Sequence, residues 1–291
     1  MKRKILALSD IHVGSPSGLL HPNYVDVDGN GTLLNVRQNY LWDNYLNLLD
    51  SLPSDIDEIV FVGDAIDGKQ RANQGEELTL HRIEDQRLAA IMTLMEFKNR
   101  FPTSIWRFVM GTKYHEEAAD VRAIARHFTD VVPEMSLRMR YGKAGILFHH
   151  EVGYSSGFVK SGSLERETVR GLLSTAKHGW FDYHAQIRAH VHYFYNVGQK
   201  NHLSLTLPCF QMMSPFALKG SPFSSIPDLG FVILHVDDAL LDAGMCPVGF
   251  EERLFPHPEP EAIFAAEPQT VNNEDVVTVN SADSDSLEYL G

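Results

Sequence analysis

The pattern of apolar positions divides the first half of the chain into short strand-like runs and longer helix-like segments. Continuous apolar runs typical of buried strands occur at Ile5–Leu8 and Ile59–Val62, and a third, Phe108–Met110, lies in a predicted strand over Trp106–Met110. Apolar residues recur at helical spacing over 36–52, 78–100 and 116–128. Strands and helices therefore alternate here, which is typical of an α/β protein.

The second half of the chain is richer in strands. Leu137–Tyr141 and Gly145–Phe148 form a hairpin-like pair, and Leu164–Thr175 has a helical pattern. Four further strand signals follow at Gln186–Ala189, Tyr193–Val197, Ser204–Leu207 and Phe231–Val236. Helices early and strands late favour two packed β-sheets with helices outside them over a single doubly wound sheet.

Composition and charge divide the chain near residue 255. We expect one domain over 1–255 and a disordered, acidic, proline-containing tail over 256–291. The net charge is −13, but the tail contains eight acidic residues and no Lys or Arg, so residues 1–255 carry only −5. No run of basic residues is present, so tight electrostatic binding of duplex DNA is not expected. The negative charge of residues 1–255 does not exclude phosphate substrates, because bound divalent cations would offset part of it locally.

The amino-terminal sequence and the two cysteines bear on the compartment. The apolar run after Met1–Lys4 is too short for a signal peptide, and no apolar stretch approaches the ~20 residues of a membrane helix. Only Cys209 and Cys246 are present, which excludes a disulfide framework and a cysteine zinc site. We therefore expect a cytoplasmic protein without a membrane partner.

Side chains that bind metals follow several of the apolar runs. Asp10 and His12 are two positions apart and would share a face of an extended chain, as would His190 and His192. Asp64 follows Gly63, where the backbone can turn tightly, and one aspartate can bridge two cations. Imidazoles and carboxylates that converge in this way predict a transition-metal site.

His149 and His150 also follow an apolar run, but they are adjacent in sequence. On an extended backbone their side chains face opposite ways, so at most one is expected to bind the metal directly. The position nearer the strand end slightly favours His149.

The order and spacing of these motifs resemble the calcineurin-like metallophosphoesterase superfamily, from Lys4 to about Val236. The resemblance implies an α/β, four-layer metallophosphoesterase fold, with two packed mixed β-sheets flanked by α-helices, and two divalent metal ions. It implies that Asp10, His12 and His192 bind one ion, that His149 or His150 binds the other with His190, and that Asp64 bridges them.

The third motif departs from the family pattern. The family usually has Gly-Asn-His followed by Glu or Asp, whereas here Thr112, Lys113 and Tyr114 separate Gly111 from His115. His115 could keep the catalytic role or replace the missing Asn as a ligand, and Thr112 is a third candidate for that place. This Gly-Thr-x-x-His form is similar to variants in phage and prophage metallophosphoesterases.

The resemblance implies a metal-dependent phosphoesterase that hydrolyses phosphodiester, or else phosphomonoester, bonds by attack of a metal-bridging hydroxide. Nucleotides and nucleic acid are the substrates that the phage-like variant suggests. A mixed imidazole and carboxylate shell suits Mn²⁺, Fe and Zn²⁺ better than Ca²⁺. We expect two divalent ions, Mn²⁺ in vitro, with Fe, Zn²⁺ or Ni²⁺ as alternatives. Two other functions stay open: a catalytically weak or inactive scaffold of the same fold, and a nuclease subunit of a DNA-processing assembly.

Overall fold

The computed structural model describes residues 1–70, 75–153, 162–179, 181–213 and 226–258. One mixed sheet has the strand order β10-β9-β1-β2-β3. Its strands are β1 (Lys2–Leu8), β2 (Glu58–Val62), β3 (Ile105–Val109), β9 (Leu229–Asp237) and β10 (Val248–Phe255). β1, β2 and β3 are parallel, and β9 is antiparallel to both β1 and β10. The parallel strands therefore end at the same edge of the sheet.

The second mixed sheet has the order β4-β5-β6-β8-β7. Its strands are β4 (Ser136–Tyr141), β5 (Ala144–His149), β6 (Ala185–Arg188), β7 (Tyr195–Gln199) and β8 (His202–Thr206). β5, β6 and β8 are parallel, whereas β4 and β7 are antiparallel edge strands. This sheet also has a common edge at which its central strands end.

The helices flank the two sheets. They are α1 (Val36–Asp50), α2 (Ile83–Arg100), α3 (Ala118–Ala125) and α4 (Gly162–His178), and a 3-10 helix spans Asp238–Ala243. Helix α4 packs on the second sheet, where Thr168 Oγ1 lies 2.7 Å from Ser204 Oγ of β8. Among the described residues, no helix is long and apolar enough to span a bilayer.

Alternate side chains of β1 pack in two different cores, and this shows how the layers stack. Leu6 and Leu8 pack in a core with residues of α1, α2 and α3, whereas Ile5 and Ala7 pack in a second core with residues of both sheets. Successive side chains of a strand point to opposite faces, so β1 is buried on both sides. The first sheet therefore lies between its helices and the second sheet, and the predicted four-layer fold is confirmed.

Two features differ from the prediction. Strand β10 was not predicted, because Glu251, Glu252 and Arg253 make this edge strand partly polar. The helix predicted over 78–100 begins at Ile83, because the backbone N–H groups of residues 79 and 80 donate to the carbonyl of Gly14 instead of starting a helix. The predicted disordered tail lies outside the described residues from position 259 onward.

Candidate metal centre

The motifs meet where the two sheets abut. Asp10 and His12 follow β1, Asp64 follows β2, His150 follows β5, and His190 and His192 follow β6. Backbone hydrogen bonds join the first two segments: Asp10 N donates to Gly63 O at 3.0 Å, and His12 N donates to Asp64 O at 3.2 Å. Parallel strand ends thus bring together side chains that are up to 180 residues apart in sequence.

Left-handed backbone conformations are concentrated at this centre. Five of the candidate ligands have positive φ angles: Asp10 at 52°, His12 at 43°, Asp64 at 54°, His190 at 73° and His192 at 60°. Gln70 is the one other non-glycine residue with positive φ in the described part of the chain. Such angles are uncommon outside glycine, although Asp and His tolerate them better than most residues, and they cluster at functional sites.

The first ligand group contains Asp10, His12 and His192. Its three candidate ligand atoms lie within 4.8 Å of one another. The Nε2 atoms of the two imidazoles are 3.1 Å apart, and Asp10 Oδ1 lies 3.6 Å from His12 Nε2 and 3.2 Å from His192 Nε2. Asp10 and His12 are almost fully buried. Three donors converging at this spacing suit a single divalent ion.

The second ligand group contains Asp64, His150 and His190, again with candidate ligand atoms within 4.8 Å. His150 Nε2 lies 3.1 Å from Asp64 Oδ2 and 3.8 Å from Asp10 Oδ1. Its Nδ1 lies 2.6 Å from Val62 O and must therefore donate to that carbonyl. The lone pair is consequently on Nε2, the nitrogen that faces the carboxylates. Because His150 Nε2 lies near carboxylate oxygens of both Asp10 and Asp64, the two ligand groups are adjacent.

His149 lies outside both ligand groups, so the geometry favours His150, and which of the two binds a metal stays a prediction. The contacts that influence its ring involve Arg188 and the backbone of Met135, not the carboxylates of the centre. Its backbone pairs with β4, opposite Ser136. Adjacent residues of an extended chain face opposite ways, so the orientation that directs His150 inward turns His149 away.

Unpartnered polar atoms show that the centre fits a cation. Asp10 Oδ1 and His150 Nε2 are fully buried and, among the residues that the structure describes, have no hydrogen-bond partner of acceptable geometry. Leaving buried polar atoms unsatisfied is costly, and most such atoms in proteins have a partner. A carboxylate oxygen and an imidazole lone pair that face one another are the donors that Mn²⁺, Fe and Zn²⁺ accept. The residues present therefore fit divalent metal ions.

The electrostatics of the centre lead to the same conclusion. Burial lowers the pKa of His12, but the nearby carboxylates of Asp10 and Asp67 outweigh that effect and raise it to about 10. Burial raises the pKa of Asp10, but His150 and His192 hold it well below its usual range. The centre thus combines ionised carboxylates with a potential that favours positive charge, and a metal cation responds to that potential as a proton does.

The third motif supports the centre from one side. Thr112 N donates to Asp64 Oδ1 at 2.7 Å, and Thr112 Oγ1 lies 3.2 Å and 3.1 Å from the two Asp64 oxygens. Glu116 is buried and accepts from the backbone N–H groups of Gly111 and Ala65 at 2.6 Å and 3.1 Å. Burial and the nearby Asp64 raise the pKa of Glu116 to about 7. These contacts fix the position of the Asp64 carboxylate.

Asp67 connects two of these histidines. Its Oδ1 lies 3.1 Å from His12 Nδ1, and its backbone oxygen lies 2.9 Å from His115 Nδ1. The rings of His12 and His115 are 4.5 Å apart, edge to face. The Gly-Asp-x-x-Asp spacing is the sequence signal for Asp67, but its orienting contacts need the folded chain.

Two glycines let the backbone approach the ligands closely. Gly63 has a φ of 80°, and a Cβ there would lie 2.5 Å from His150 Nδ1. A Cβ at Gly111 would lie 2.1 Å from Asp64 Oδ1 and 2.3 Å from Asp64 N. Any larger residue would displace the candidate ligands.

No protein-family model matches the chain, and no curated protein matches it in sequence. Several solved structures are similar in architecture. Vps29 from Entamoeba histolytica is 14% identical, with a TM-score of 0.41, covering 87% of this chain and 99% of that one. Vps29 from Chaetomium thermophilum is 12% identical, with a TM-score of 0.43, covering 88% and 98%. A novel archaeal phosphodiesterase is 9% identical, with a TM-score of 0.42, covering 87% and 99%. These values are too low to indicate what the chain does.

Proposed function

We propose that this chain is a metal-dependent phosphoesterase with a dinuclear centre. One observation carries the proposal: two adjoining groups of buried ligands leave Asp10 Oδ1 and His150 Nε2 without hydrogen-bond partners among the described residues. In this assignment Asp10, His12 and His192 would hold one ion, His150 and His190 would hold the other, and Asp64 would contribute to both. Such a pair of ions activates water and stabilises the oxygens of a phosphoryl group during in-line displacement.

The protein's own groups have distinct tasks in this proposal. Asp67 fixes the ring of His12 through Nδ1, which leaves Nε2 to bind the ion. His115 Nδ1 donates to the backbone oxygen of Asp67, so the general acid would be the doubly protonated ring, which gives its Nε2 proton to the leaving-group oxygen and becomes neutral. Burial and the nearby His12 lower the pKa of His115, which favours release of that proton. His115 is 19% exposed, whereas His12 is 1% exposed, which suits a group at the substrate side of the centre. General acid catalysis of this kind contributes about 10²–10⁴-fold to the rate.

Thr112 takes a supporting task in this assignment. Because its N–H and hydroxyl both contact Asp64, it restrains the proposed bridging carboxylate directly. Its hydroxyl oxygen is also close enough to that carboxylate to serve as a ligand in place of the missing Asn.

The test combines a metal count with a hydrolysis assay. Protein dialysed against a chelator should lose hydrolysis of bis-p-nitrophenyl phosphate and recover it with Mn²⁺. Asp64→Asn should lower kcat/KM by at least about 100-fold, more than the loss typical of residues that only orient a ligand. Asp85→Asn is the matched control, because Asp85 is a buried carboxylate that hydrogen-bonds Tyr24 outside the centre. Hydrolysis by Asp64→Asn at the wild-type rate would refute the proposal.

A binding scaffold without catalysis is the second candidate. It is favoured by Thr112, whose N–H and hydroxyl occupy both oxygens of Asp64, the carboxylate that would otherwise be shared by two ions. Elemental analysis separates the two functions. A purified protein with no bound metal and no increase in Tm on addition of Mn²⁺ supports the scaffold.

A further inference from the structure

We propose that the groove beside His115 binds single-stranded nucleic acid, with a base stacked on Tyr114 and a backbone phosphate held by Lys69 and Lys113. The turnover of such a strand rests on the phosphoesterase function proposed above, but its binding does not. The groove, the exposed aromatic ring and the balance of charges each support this assignment.

The groove has a volume of ≈ 670 Å³, within the range of roughly 300–1,000 Å³ that is typical of ligand sites. It lies between the start of α2 and the segment from Lys113 to Glu117. His115 lines the groove and also belongs to a group with His12 and Asp67. The groove therefore opens beside the metal centre, and it is larger than a phosphate group alone requires.

A tight turn presents Tyr114 to the groove. His115 N and Glu116 N both donate to Thr112 O, at 3.1 Å and 2.9 Å, so the chain reverses around positions 113 and 114. Tyr114 is 54% exposed, and its ring meets that of His115 edge to face at 4.9 Å. Bases stack on exposed aromatic rings in proteins that bind single strands, and this contact tolerates any base.

The cations of the groove are suited to phosphate. Lys69, Arg82 and Lys113 line it and are all exposed. Arg82 forms an ion pair with Asp28 at 2.9 Å. Within the part of the chain that the structure describes, Lys69 and Lys113 have no ion-pair partner. Their charges are thus available to a ligand.

The acids of the groove are compensated within the protein. Glu116 is buried against backbone N–H groups, and Asp120 accepts from Glu117 N at 2.9 Å in the capping box of α3. Glu84 lies in the first turn of α2, where the helix dipole favours negative charge. Glu117, the remaining acid of the groove, is exposed, and its side chain accepts from the backbone N–H of Asp120 in the same capping box. The four acids thus have compensating interactions within the protein, whereas Lys69 and Lys113 have no ion-pair partner among the described residues.

These features favour a single strand over a duplex. Stacking on Tyr114 requires an unpaired base that can unstack from the adjacent bases, and single strands provide such bases. Residues 1–255 carry a net charge of −5, and no basic run extends the two lysines into a surface that could follow a double helix.

Binding is measured by fluorescence anisotropy with Mn²⁺ present and a labelled phosphorothioate oligothymidylate of about 8 nucleotides, which resists hydrolysis. Tyr114→Ala should raise Kd roughly 5- to 150-fold, the loss expected for one stacked base, and Tyr114→Phe should stay within about 2-fold of wild type. Tyr195→Ala is the control, because Tyr195 is an exposed tyrosine on β7, far from the groove in sequence. An unchanged Kd for Tyr114→Ala, or no binding by the wild type, overturns the proposal.

The salt dependence tests the phosphate contacts separately. Lys113→Gln should reduce the slope of log K against log salt by about 0.7, the value for one phosphate contact on a single strand. Lys177→Gln, at an exposed position in the last turn of α4, should leave the slope unchanged. Equal slopes for Lys113→Gln and wild type would contradict the contact.

Turnover distinguishes this proposal from the one it rests on. With Mn²⁺, Tyr114→Ala should slow hydrolysis of thymidine 5′-p-nitrophenyl phosphate and spare methyl p-nitrophenyl phosphate, which has no base. An equal loss on both diesters would mean that Tyr114 only positions His115, and would overturn the stacking role. If the wild type hydrolyses neither diester, the phosphoesterase function fails, while the anisotropy results still decide whether the groove binds the strand.

Discussion

His150 Nε2 lies 3.1 Å from Asp64 Oδ2, and this contact joins the carboxyl end of β2 in one sheet to that of β5 in the other. The opposite nitrogen of the ring is 2.6 Å from Val62 O, so the ring has one tautomer and one orientation. A ligand for the proposed centre is thus fixed by both sheets, and the centre depends on how they pack.

Two single variants, in which either His149 or His150 is replaced by alanine, test this orientation. His150→Ala should lower the affinity for Mn²⁺ by at least about 100-fold, because it removes a proposed ligand and not merely its support. His149→Ala is its matched control, and we expect its affinity to stay within about 3-fold of wild type, since His149 belongs to neither ligand group and orients none of their members. Isothermal titration calorimetry on both variants measures the difference. The reverse order of affinities would restore His149 as the ligand.

Asp67→Asn tests the connection between His12 and His115. The amide cannot match the charge of the carboxylate that lies 3.1 Å from His12 Nδ1. We expect kcat to fall about 10–100-fold while metal is still bound at high concentration, because residues that orient a ligand have effects of this size. Asp57→Asn, which removes a surface ion pair with Arg3, should leave kcat unchanged. Wild-type kcat for Asp67→Asn would argue against the orienting role.

Gly111→Ala tests the close approach to Asp64. The new Cβ would lie 2.1 Å from Asp64 Oδ1, so the carboxylate or the backbone must move. Overpacking of this kind costs about 1–3 kcal/mol, and each kcal/mol lowers Tm by about 2–4 °C in a domain of this size. Calorimetry should show the lower Tm together with a lower metal content. Gly249→Ala, which meets nothing within 4 Å, should match the wild type in both measurements.

His202 predicts a loss of stability in acid that is independent of the centre. Burial lowers the pKa of His202 from 6.5 to about 4. Between these values the unfolded chain binds a proton at this position and the folded chain does not, so the free energy of unfolding decreases as the pH falls from 6.5 to 4. His202→Gln should weaken this dependence in urea titrations, whereas His127→Gln, at an exposed position, should not. An unchanged pH dependence in His202→Gln would contradict the assignment.

Much of the fold could be predicted because local sequence decides it. Which side chains are buried can be inferred from the apolar runs at β1, β2 and β3 and from the helical spacing of apolar residues over α1 and α2. Strand β10 was missed because an edge strand exposes one side and admits charged residues such as Glu251 and Arg253. Pattern alone is weakest for a strand that is both at a sheet edge and rich in charged residues, since the edge strands β3, β4 and β7 were predicted.

The sequence by itself determined the residue types of the candidate centre and their places after the strands, because strand ends and metal-binding side chains are both local features. Only the tertiary structure decided which residues meet. The choice of His150 over His149 depends on the carbonyl of Val62 in the other sheet, and the link between His12 and His115 depends on Asp67. Such choices are made by contacts between distant segments, whose geometry is set by packing of the whole domain and is not encoded in any one motif.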